Sequence, residues 1–226
     1  MLALWTTRSD GDLRDLGRGT PLPEAVPPGL VLERLSQVHG AEVVVVGAGA
    51  TPGAGGAGGA GGTGAPTAEG DALVATGDDR VLAVFTADCA AVALGSADGT
   101  YGAVHAGWRG LEAGVVEKAV ERVRSLSHAE VVAGLGPCIG PCCYAFGGPA
   151  LDILAGRYGA VVRSTTARGE CALDLPEAVR RALAAAGVPL VVDEARCTAC
   201  SGDAWSYRAR RDEARQALLV WRDPPG

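Results

Sequence analysis

The chain has 226 residues, a length typical of one generous domain, and its hydrophobic content of 48% is ample for a buried core. The net charge of −6 argues against non-specific nucleic-acid binding, although a local arginine cluster is still able to bind a small anion. The chain has an odd number of cysteines, seven, and no secretory pattern at the N-terminus, which predicts reduced thiols and a cytoplasmic location. No apolar run approaches the roughly 18 residues of a membrane helix, so we expect no membrane contact.

Strand and helix patterns alternate along the chain. Val-rich or apolar runs bounded by Gly or charged residues indicate strands, whereas apolar residues at helical spacing indicate helices. In chain order we predict strands at 41–46, 81–85 and 101–105, a helix at 110–126, a strand at 131–135, helices at 149–158 and 176–186, and strands at 190–193 and 217–221. This mixture predicts an α/β (α+β mixed) fold but does not define the strand order.

Residues 47–70 form a low-complexity segment of Gly and Ala. Such residues offer no side chains for a core, and fixing their backbone costs about 1–2 kcal/mol per residue in entropy. We therefore predict a flexible insert within a single domain that spans residues 1–226. A true domain boundary at this segment is the alternative.

Three side chains that bind metals are predicted to lie at strand ends. His39 precedes one strand, Cys89 follows another, and His105 ends a third. Two imidazoles and one thiolate, with a fourth position left for water, form a typical catalytic zinc site. The alternatives are a small buried cysteine and two loop histidines. The third histidine, His128, follows a polar helix end and is predicted to lie on the surface.

A second group of cysteines occurs in the segment Gly136–Tyr144 and near the C-terminus. Cys138 and Cys142 are four residues apart, and Cys197 and Cys200 are three apart. A structural zinc with four thiolates is one interpretation of these spacings. The glycines and prolines of the segment favour the other interpretation, a rigid loop that lines a pocket. Cys171 is isolated and is predicted to be a packing residue.

Arginines provide candidate anion-binding groups. Arg109 follows Trp108 in a Gly-flanked turn at a helix start, where a guanidinium and backbone N–H groups suit an anion. Arg208 and Arg215 lie near the C-terminus, where a solvated face is the alternative interpretation. The sequence contains neither the GxxxxGK[ST] phosphate-binding motif nor the GxSxG nucleophile motif.

Six segments resemble, in order and spacing, the signatures of the YfiH-type or laccase-domain family. They are QVHG (37–40), GDALVAT (70–76), FTADCAAVAL (85–94), GAVHAGWRG (102–110), GPCIGPCCY (136–144) and SYR (206–208). The ending EARQALLVW (213–221) is similar to the TGRQ-type ending of that family, and the resemblance runs from about residue 31 to the end. The chain departs from the family pattern after Thr7-Arg8, where Gly-Gly-Val-Ser is missing, and at Glu213-Ala214, where Thr-Gly is usual.

The resemblance implies a layered sandwich with internal pseudo-duplication and a zinc held by His39, Cys89 and His105. It also implies phosphorolysis of adenosine, inosine, guanosine and methylthioadenosine, together with adenosine deaminase activity. Older names for the family refer to a multicopper polyphenol oxidase, and bacterial members have been linked to editing of peptidoglycan precursors. We therefore expect a nucleoside and phosphate as the small-molecule partners of a monomer or homodimer.

These expectations give each candidate residue a role. We assign catalysis to Arg109, Cys89 and Asp88, and binding of substrate or phosphate to Gln37, Arg109, Arg208 and Arg215. A zinc in an open site lowers the pKa of bound water to about 7, which suits attack on C6 of adenine. Asp88 and Asp71 are the candidates for a general acid or base, and orientation of backbone or of a ligand is the alternative role for each.

Three other functions stay open from the residues alone. Three histidines are too few for a multicopper cluster. Two histidines and one cysteine also suit a single copper site in a phenol oxidase. Such a site would lack the usual axial methionine, because Met1 is the only methionine. A metal-free hydrolase would use Cys89 as nucleophile and His105 as base. The third function is a non-enzymatic role as a partner in cell-wall or division machinery.

Overall fold

The computed structural model describes residues 1–47, 66 and 68–222. Its strands are β1 (Leu2–Trp5), β2 (Val31–Arg34), β3 (Val43–Val46), β4 (Ala72–Ala75), β5 (Arg80–Thr86), β6 (Ala90–Ser96), β7 (Tyr101–Ala106), β8 (Val131–Leu135), β9 (Arg163–Thr165), β10 (Cys171–Leu173), β11 (Leu190–Asp193) and β12 (Gln216–Trp221). Its α-helices are α1 (Trp108–Glu112), α2 (Val115–Leu126), α3 (Pro149–Tyr158), α4 (Leu175–Ala185) and α5 (Tyr207–Arg210). The mixed α/β class is confirmed.

Two mixed sheets form the centre of the molecule. The larger sheet has six strands in the order β11-β8-β6-β7-β4-β3, and the smaller has four in the order β1-β12-β5-β2. In the larger sheet the outer pairs β11/β8 and β3/β4 are parallel, whereas the inner pairs are antiparallel. Strands β9 and β10 form a separate antiparallel pair.

Alternating side chains divide the core into layers. In β5, Leu82 and Val84 face the core between the two sheets, while Val81, Ala83 and Phe85 face the N-terminal segment that covers the smaller sheet. This alternation follows from the two-residue repeat of a strand. The outer face of the larger sheet packs against the helices, in a core that includes the valines of α2. The layers are therefore N-terminal segment, small sheet, large sheet and helices.

The predicted elements agree with the structure where their patterns were strong. The predictions for 131–135, 149–158 and 190–193 match β8, α3 and β11, and the other predicted strands are correct within two residues at either end. The single helix predicted over 110–126 is wrong, because the chain forms α1 and α2 on either side of a break. Gly114 stands at the break with φ +81°, in the left-handed region that glycine tolerates best.

Residues 48–65 and 67 of the predicted flexible insert over 47–70 lie outside the described residues. At the end of the insert, the N–H of Ser36 donates to the Ala68 carbonyl and the N–H of Gly70 donates to the Ser36 carbonyl. Strands β3 and β4, which flank it, pair in parallel with Val43 opposite Ala72. This pairing supports an insert within one domain, which stays a prediction. Among the helices of the described residues, none is long and apolar enough to cross a membrane.

Two single-residue predictions have opposite outcomes. His128 is exposed, as predicted, and its backbone N–H donates to Asp98 Oδ2 over 2.9 Å. The prediction that Cys171 packs in the interior is wrong. Cys171 is exposed because it begins β10 in the small two-stranded sheet, where only the next two residues face the core.

Candidate functional site

A cavity of about 690 Å³ opens at one end of the two sheets. All eight residues that the sequence analysis assigned to catalysis, metal binding or substrate binding line it: Gln37, His39, Asp88, Cys89, His105, Arg109, Arg208 and Arg215. They come from five separate stretches of chain, so the tertiary structure brings the predicted site residues together.

The three predicted metal ligands face one another at this cavity. His39 lies in the loop between β2 and β3 with φ +60°, Cys89 lies in the turn between β5 and β6, and His105 lies in β7 opposite Ala91 of β6. One ligand atom from each lies within 4.8 Å of the other two, and Cys89 Sγ is 3.9 Å from His39 Nε2. His39 is exposed, Cys89 is partly buried and His105 is buried.

Asp71 connects the two histidines from behind. Its Oδ1 lies 2.7 Å from His105 Nδ1 and accepts the backbone N–H of His39 over 3.0 Å, while its Oδ2 accepts the N–H of Gly40 over 2.6 Å. With Nδ1 engaged, Nε2 is the ring atom of His105 that is left for a ligand. A buried carboxylate that orients a ligating histidine is typical of metal sites, so Asp71 has the geometry of an orienting residue.

The charges of the site favour a thiolate. Burial would raise the pKa of Cys89, but His105 and His39 outweigh burial and lower this pKa to about 6. Burial would likewise lower the pKa of His105, but Cys89 and Asp71 outweigh it and raise this pKa to about 9. Hydrogen bonds from His105 and from backbone N–H groups hold the pKa of Asp71 below its usual range despite burial. A thiolate and a carboxylate beside two imidazoles give the site an affinity for cations.

The donor set itself fits a divalent metal ion. Two imidazole nitrogens and one thiolate sulfur leave one position open in a tetrahedral zinc site, and the same three donors suit copper. All three side chains line the cavity, so a metal ion that they hold would be accessible to a small molecule there.

Two arginines place positive charge on the cavity wall. Arg109, in the first turn of α1, stacks over the Trp108 ring with its guanidinium carbon 4.6 Å from the ring centre. Arg208, in α5, stacks over Tyr144 at 4.9 Å and donates to the carbonyl of Ala145 over 3.0 Å. Neither guanidinium has a carboxylate partner within the part of the chain that the structure describes. Both are therefore available to an anion in the cavity.

Three other predicted site residues make hydrogen bonds that hold the protein together. The Gln37 amide binds both backbone groups of Phe85 over 2.8 Å, which ties the His39 loop to the end of β5. Asp88 accepts the Thr198 hydroxyl and the backbone N–H of Arg208. Arg215 donates to the backbone carbonyls of residues 212–214. These bonds describe positioning roles, and the direct roles in catalysis or binding stay predictions.

Sequence reasoning missed part of the cavity wall. Aromatic and basic side chains complete it: Phe85, Trp108, Tyr144, Tyr207, Arg14 and Arg34. Trp108 and Tyr144 belong to the segments that carried the family resemblance. Their positions next to Arg109 and Cys143 in those segments were a signal that could have identified them. Arg14 and Arg34 stand in ordinary surroundings that gave no such signal.

Comparison with known proteins adds independent findings. A family model described as multi-copper polyphenol oxidoreductase laccase matches residues 26–223. Purine nucleoside phosphorylase ORF3 of Streptomyces griseus is 37% identical over 194 residues, which cover 84% of this chain and 73% of that protein. Purine nucleoside phosphorylase YfiH of Escherichia coli (strain K12) is 33% identical over 154 residues, which cover 67% of this chain and 63% of that protein. The match thus spans less than two thirds of the length of YfiH.

A solved structure supports the same relationship. The crystal structure of YlmD from Geobacillus stearothermophilus superposes with a TM-score of 0.69 at 30% sequence identity. The superposition covers 85% of this chain and 74% of that chain. The layered arrangement of two sheets and outer helices is therefore a fold that occurs in a solved relative.

Proposed function

We propose that this chain, which belongs to the multi-copper polyphenol oxidoreductase laccase family, is a purine nucleoside phosphorylase with a catalytic zinc. The observation that carries the proposal is that the His39–Cys89–His105 set and the guanidinium groups of Arg109 and Arg208 line one cavity. A cation-binding set and an anion-binding pair that line the same cavity suit a reaction between phosphate and a polar, neutral nucleoside. The names of the relatives, purine nucleoside phosphorylases, support this assignment.

Phosphorolysis gives the two groups of side chains different tasks. The bond between C1′ and the base nitrogen breaks, an oxygen of hydrogen phosphate bonds to C1′, and the departing base takes up the proton that the phosphate loses. Arg109 and Arg208 would hold the phosphate through charge-assisted hydrogen bonds. The aromatic walls, Trp108 and Tyr144 among them, suit a planar purine. The volume of 690 Å³ lies within the range of about 300–1,000 Å³ for small-molecule sites.

The metal set would serve the base or sugar end of the substrate. His39, Cys89 and His105 would hold the ion, which supplies Lewis acidity when it is bound. Asp71 keeps the His105 ring in place through its 2.7 Å contact with Nδ1, and Gln37 keeps the His39 loop against β5. The protein therefore fixes the ligands through hydrogen bonds from neighbouring side chains.

We include adenosine, inosine, guanosine and methylthioadenosine among the proposed substrates, with deamination of adenosine as a second reaction. Stacking on an aromatic side chain depends little on which purine is bound, because each purine presents the same flat face. The cavity wall offers four aromatic side chains to such a face: Phe85, Trp108, Tyr144 and Tyr207. A broad choice of purine follows from this kind of contact.

The deciding experiment is chromatographic detection of base release by the zinc-loaded protein. Adenosine and inosine are incubated with and without phosphate, and ribose 1-phosphate is measured in parallel. We expect adenine and hypoxanthine only when phosphate is present, and inosine from adenosine in either condition. Base release that is independent of phosphate, or no release by protein with its metal in place, would overturn the proposal. The hydrolysis of peptidoglycan precursors would then be tested next.

Copper in the same ligand set defines the competing function. Two histidines and one cysteine also form the trigonal set of blue copper sites, whose usual axial ligand is methionine. The sulfur of Met1, the only methionine, packs against Gly95 in β6. Gly95 is five positions along that strand from Ala90, the residue that follows Cys89, so Met1 does not supply this ligand. A copper-loaded sample is therefore assayed for phenol oxidation, and we expect no turnover above the free ion.

A further inference from the structure

A second cluster of metal-binding side chains lies outside the cavity used by the proposed function. Cys142 and Cys143 follow β8 in one loop, and Cys197 and Cys200 follow β11 in another. The four sulfur atoms all lie within 4.8 Å of one another. Cys200 Sγ is 3.5 Å from Cys142 Sγ and 3.4 Å from Cys143 Sγ, and all four thiols are free.

The cluster differs by one residue from the set that the spacings suggested. Cys138 is fully buried in the core and is not a member, and Cys143 occupies its place. The backbone of Cys138 instead joins the two loops, because its N–H donates to the Arg196 carbonyl and its carbonyl accepts the N–H of Thr198. The loops are thus aligned by backbone bonds next to the four sulfur atoms.

The sulfur positions fit tetrahedral coordination. A Zn–S bond of about 2.3 Å in a tetrahedron separates neighbouring sulfur atoms by about 3.8 Å. The observed separations of 3.4 and 3.5 Å, and the 4.8 Å limit for the whole set, bracket this value. Cys197 and Cys200 have the Cys-x-x-Cys spacing typical of zinc sites. Four thiolates leave no open position, as in structural rather than catalytic zinc sites.

The main chain lies close to two of these sulfur atoms. A Cβ added at Gly140 would be 3.2 Å from Cys197 Cβ and 3.6 Å from Cys197 Sγ. The same Cβ would be 3.5 Å from Cys142 Sγ. The main chain is therefore folded around the cluster.

We propose that Cys142, Cys143, Cys197 and Cys200 bind a structural Zn²⁺ ion that fastens the loop after β8 to the loop after β11. This ion is separate from the one that His39, Cys89 and His105 would hold, because the two sets share no residue. No group of the second set lines the 690 Å³ cavity.

The fastened loops support the turn that carries Cys89. Thr198 Oγ1 donates to Asp88 Oδ1 over 2.7 Å, and the N–H of Ile139 donates to the Asp88 carbonyl over 2.8 Å. Asp88 itself has φ +105°, a conformation that is costly for a residue with a side chain and needs support from its surroundings. The structural ion would therefore act indirectly on the cavity, by holding the two loops that hold Asp88.

Metal analysis of the full-length protein tests the proposal. Protein purified under reducing conditions with added zinc is analysed by mass spectrometry of the elements, with protein measured by amino-acid analysis. We expect about two zinc ions per chain in the natural protein and in a C171S control, whose exposed thiol lies outside both sets. We expect about one in C89A, about one in C197S, and none in the double variant.

Cobalt gives a readout that needs neither activity nor a stable C197S variant. In C89A loaded with Co²⁺, four thiolates would produce strong sulfur-to-cobalt absorption and the intense visible bands of tetrahedral cobalt. Zinc content near zero in C89A, or cobalt bands of an octahedral ion, would overturn the proposal. So would a disulfide from Cys200 to Cys142 or Cys143 in peptide maps of protein kept under reducing conditions.

The result is independent of the nucleoside assay. Zinc retained in C89A supports the second site even if the natural protein releases no base from nucleosides. The opposite result is base release by the natural protein together with complete loss of zinc from C89A. It would contradict the second site and leave the proposed function intact.

Discussion

The two clusters of metal-binding side chains are connected through the turn Asp88-Cys89 and differ in composition. The cluster His39–Cys89–His105 mixes nitrogen with sulfur, faces the cavity, and has a buried carboxylate, Asp71, behind its most buried histidine. The cluster Cys142–Cys143–Cys197–Cys200 contains sulfur only, and the main chain at Gly140 lies against it instead. Three donors leave a position for a substrate, whereas four donors of one kind close the shell.

The comparison teaches that the neighbours of a ligand set indicate its task. A set that is oriented by a buried side chain and open to a cavity is suited to chemistry, because its open position is reached by a substrate. A set formed by two loops and held by main-chain bonds is suited to fastening those loops. The turn Asp88-Cys89 contacts both sets, since Cys89 belongs to the first and Asp88 is held by the loops of the second.

The largest expected effect is the loss of activity when the first cluster alone is disrupted. C89A removes the thiolate of the first cluster, and we expect phosphorolysis to fall by at least about a thousandfold, because a catalytic metal contributes several kcal/mol. The thermal midpoint Tm should change little, because the second cluster is intact. Initial rates of base release and thermal unfolding measure both quantities, with C171S as the control. Turnover near the natural rate would contradict a catalytic role for this cluster.

Replacement of the orienting carboxylate should weaken the first cluster without removing a ligand. In D71N we expect about 10- to 100-fold lower metal affinity, the usual consequence of losing a partner of a ligating histidine. Competition with a chelator measures this affinity. D98N is the matched control, because Asp98 also accepts several hydrogen bonds, from Ser96, Ser127 and His128, but touches neither cluster. Equal affinity in D71N and D98N would contradict the orienting role.

Removal of an arginine tests whether the cavity wall binds an anion. In R109A we expect the KM for phosphate to rise about 10- to 100-fold, because a hydrogen bond to a charged group contributes about 1.5–3 kcal/mol. The KM for the nucleoside and the zinc content should stay near their natural values. K118A removes a positive charge from the exposed face of α2 and serves as the control. A rise in the nucleoside KM alone would show that Arg109 binds the other substrate.

A glycine beside each cluster gives a matched pair of small changes. A Cβ at Gly107 would lie 3.0 Å from His39 Cδ2 and 3.1 Å from Cys89 Sγ. Because His39 is exposed and has room to move, we expect G107A to weaken metal binding at the first cluster by about tenfold or less. Chelator competition measures the change. A loss of zinc from both clusters would mean that the two are not independent.

The last expected effect is on stability and concerns the second cluster. A Cβ at Gly140 would lie 3.2 Å from Cys197 Cβ, whereas one at Gly147 would lie 3.8 Å from its nearest neighbour, an ordinary contact. We expect G140A to cost about 1–3 kcal/mol and to lower Tm by about 2–4 °C for each kcal/mol, with G147A near the natural value. Differential scanning calorimetry measures this. Equal Tm values for the two variants would show that the loop adapts freely.

The sequence by itself determined the elements with clear periodicity and the residues with distinctive chemistry. β8, α3 and β11 have the predicted bounds because their apolar runs are bordered by turn residues. His39, Cys89 and His105 were identified because the chain has only three histidines, because few residue types bind metals, and because the segments around all three resemble family signatures. Composition and residue type are local properties, so they are readable without the fold.

The tertiary structure decided what depends on distant contacts. β4 and β6 were missed because their sequences, ALVA and AAVALGS, are rich in alanine, which has a low preference for strands, and their inner positions in the larger sheet depend on pairing with other strands. The roles of Asp71 and Gln37 emerged from partners 34 and 48 residues away. The choice of Cys143 over Cys138 depended on which thiol the loop turns outward. Only the folded chain sets these contacts, because they join residues whose separation in sequence carries no information about their separation in space.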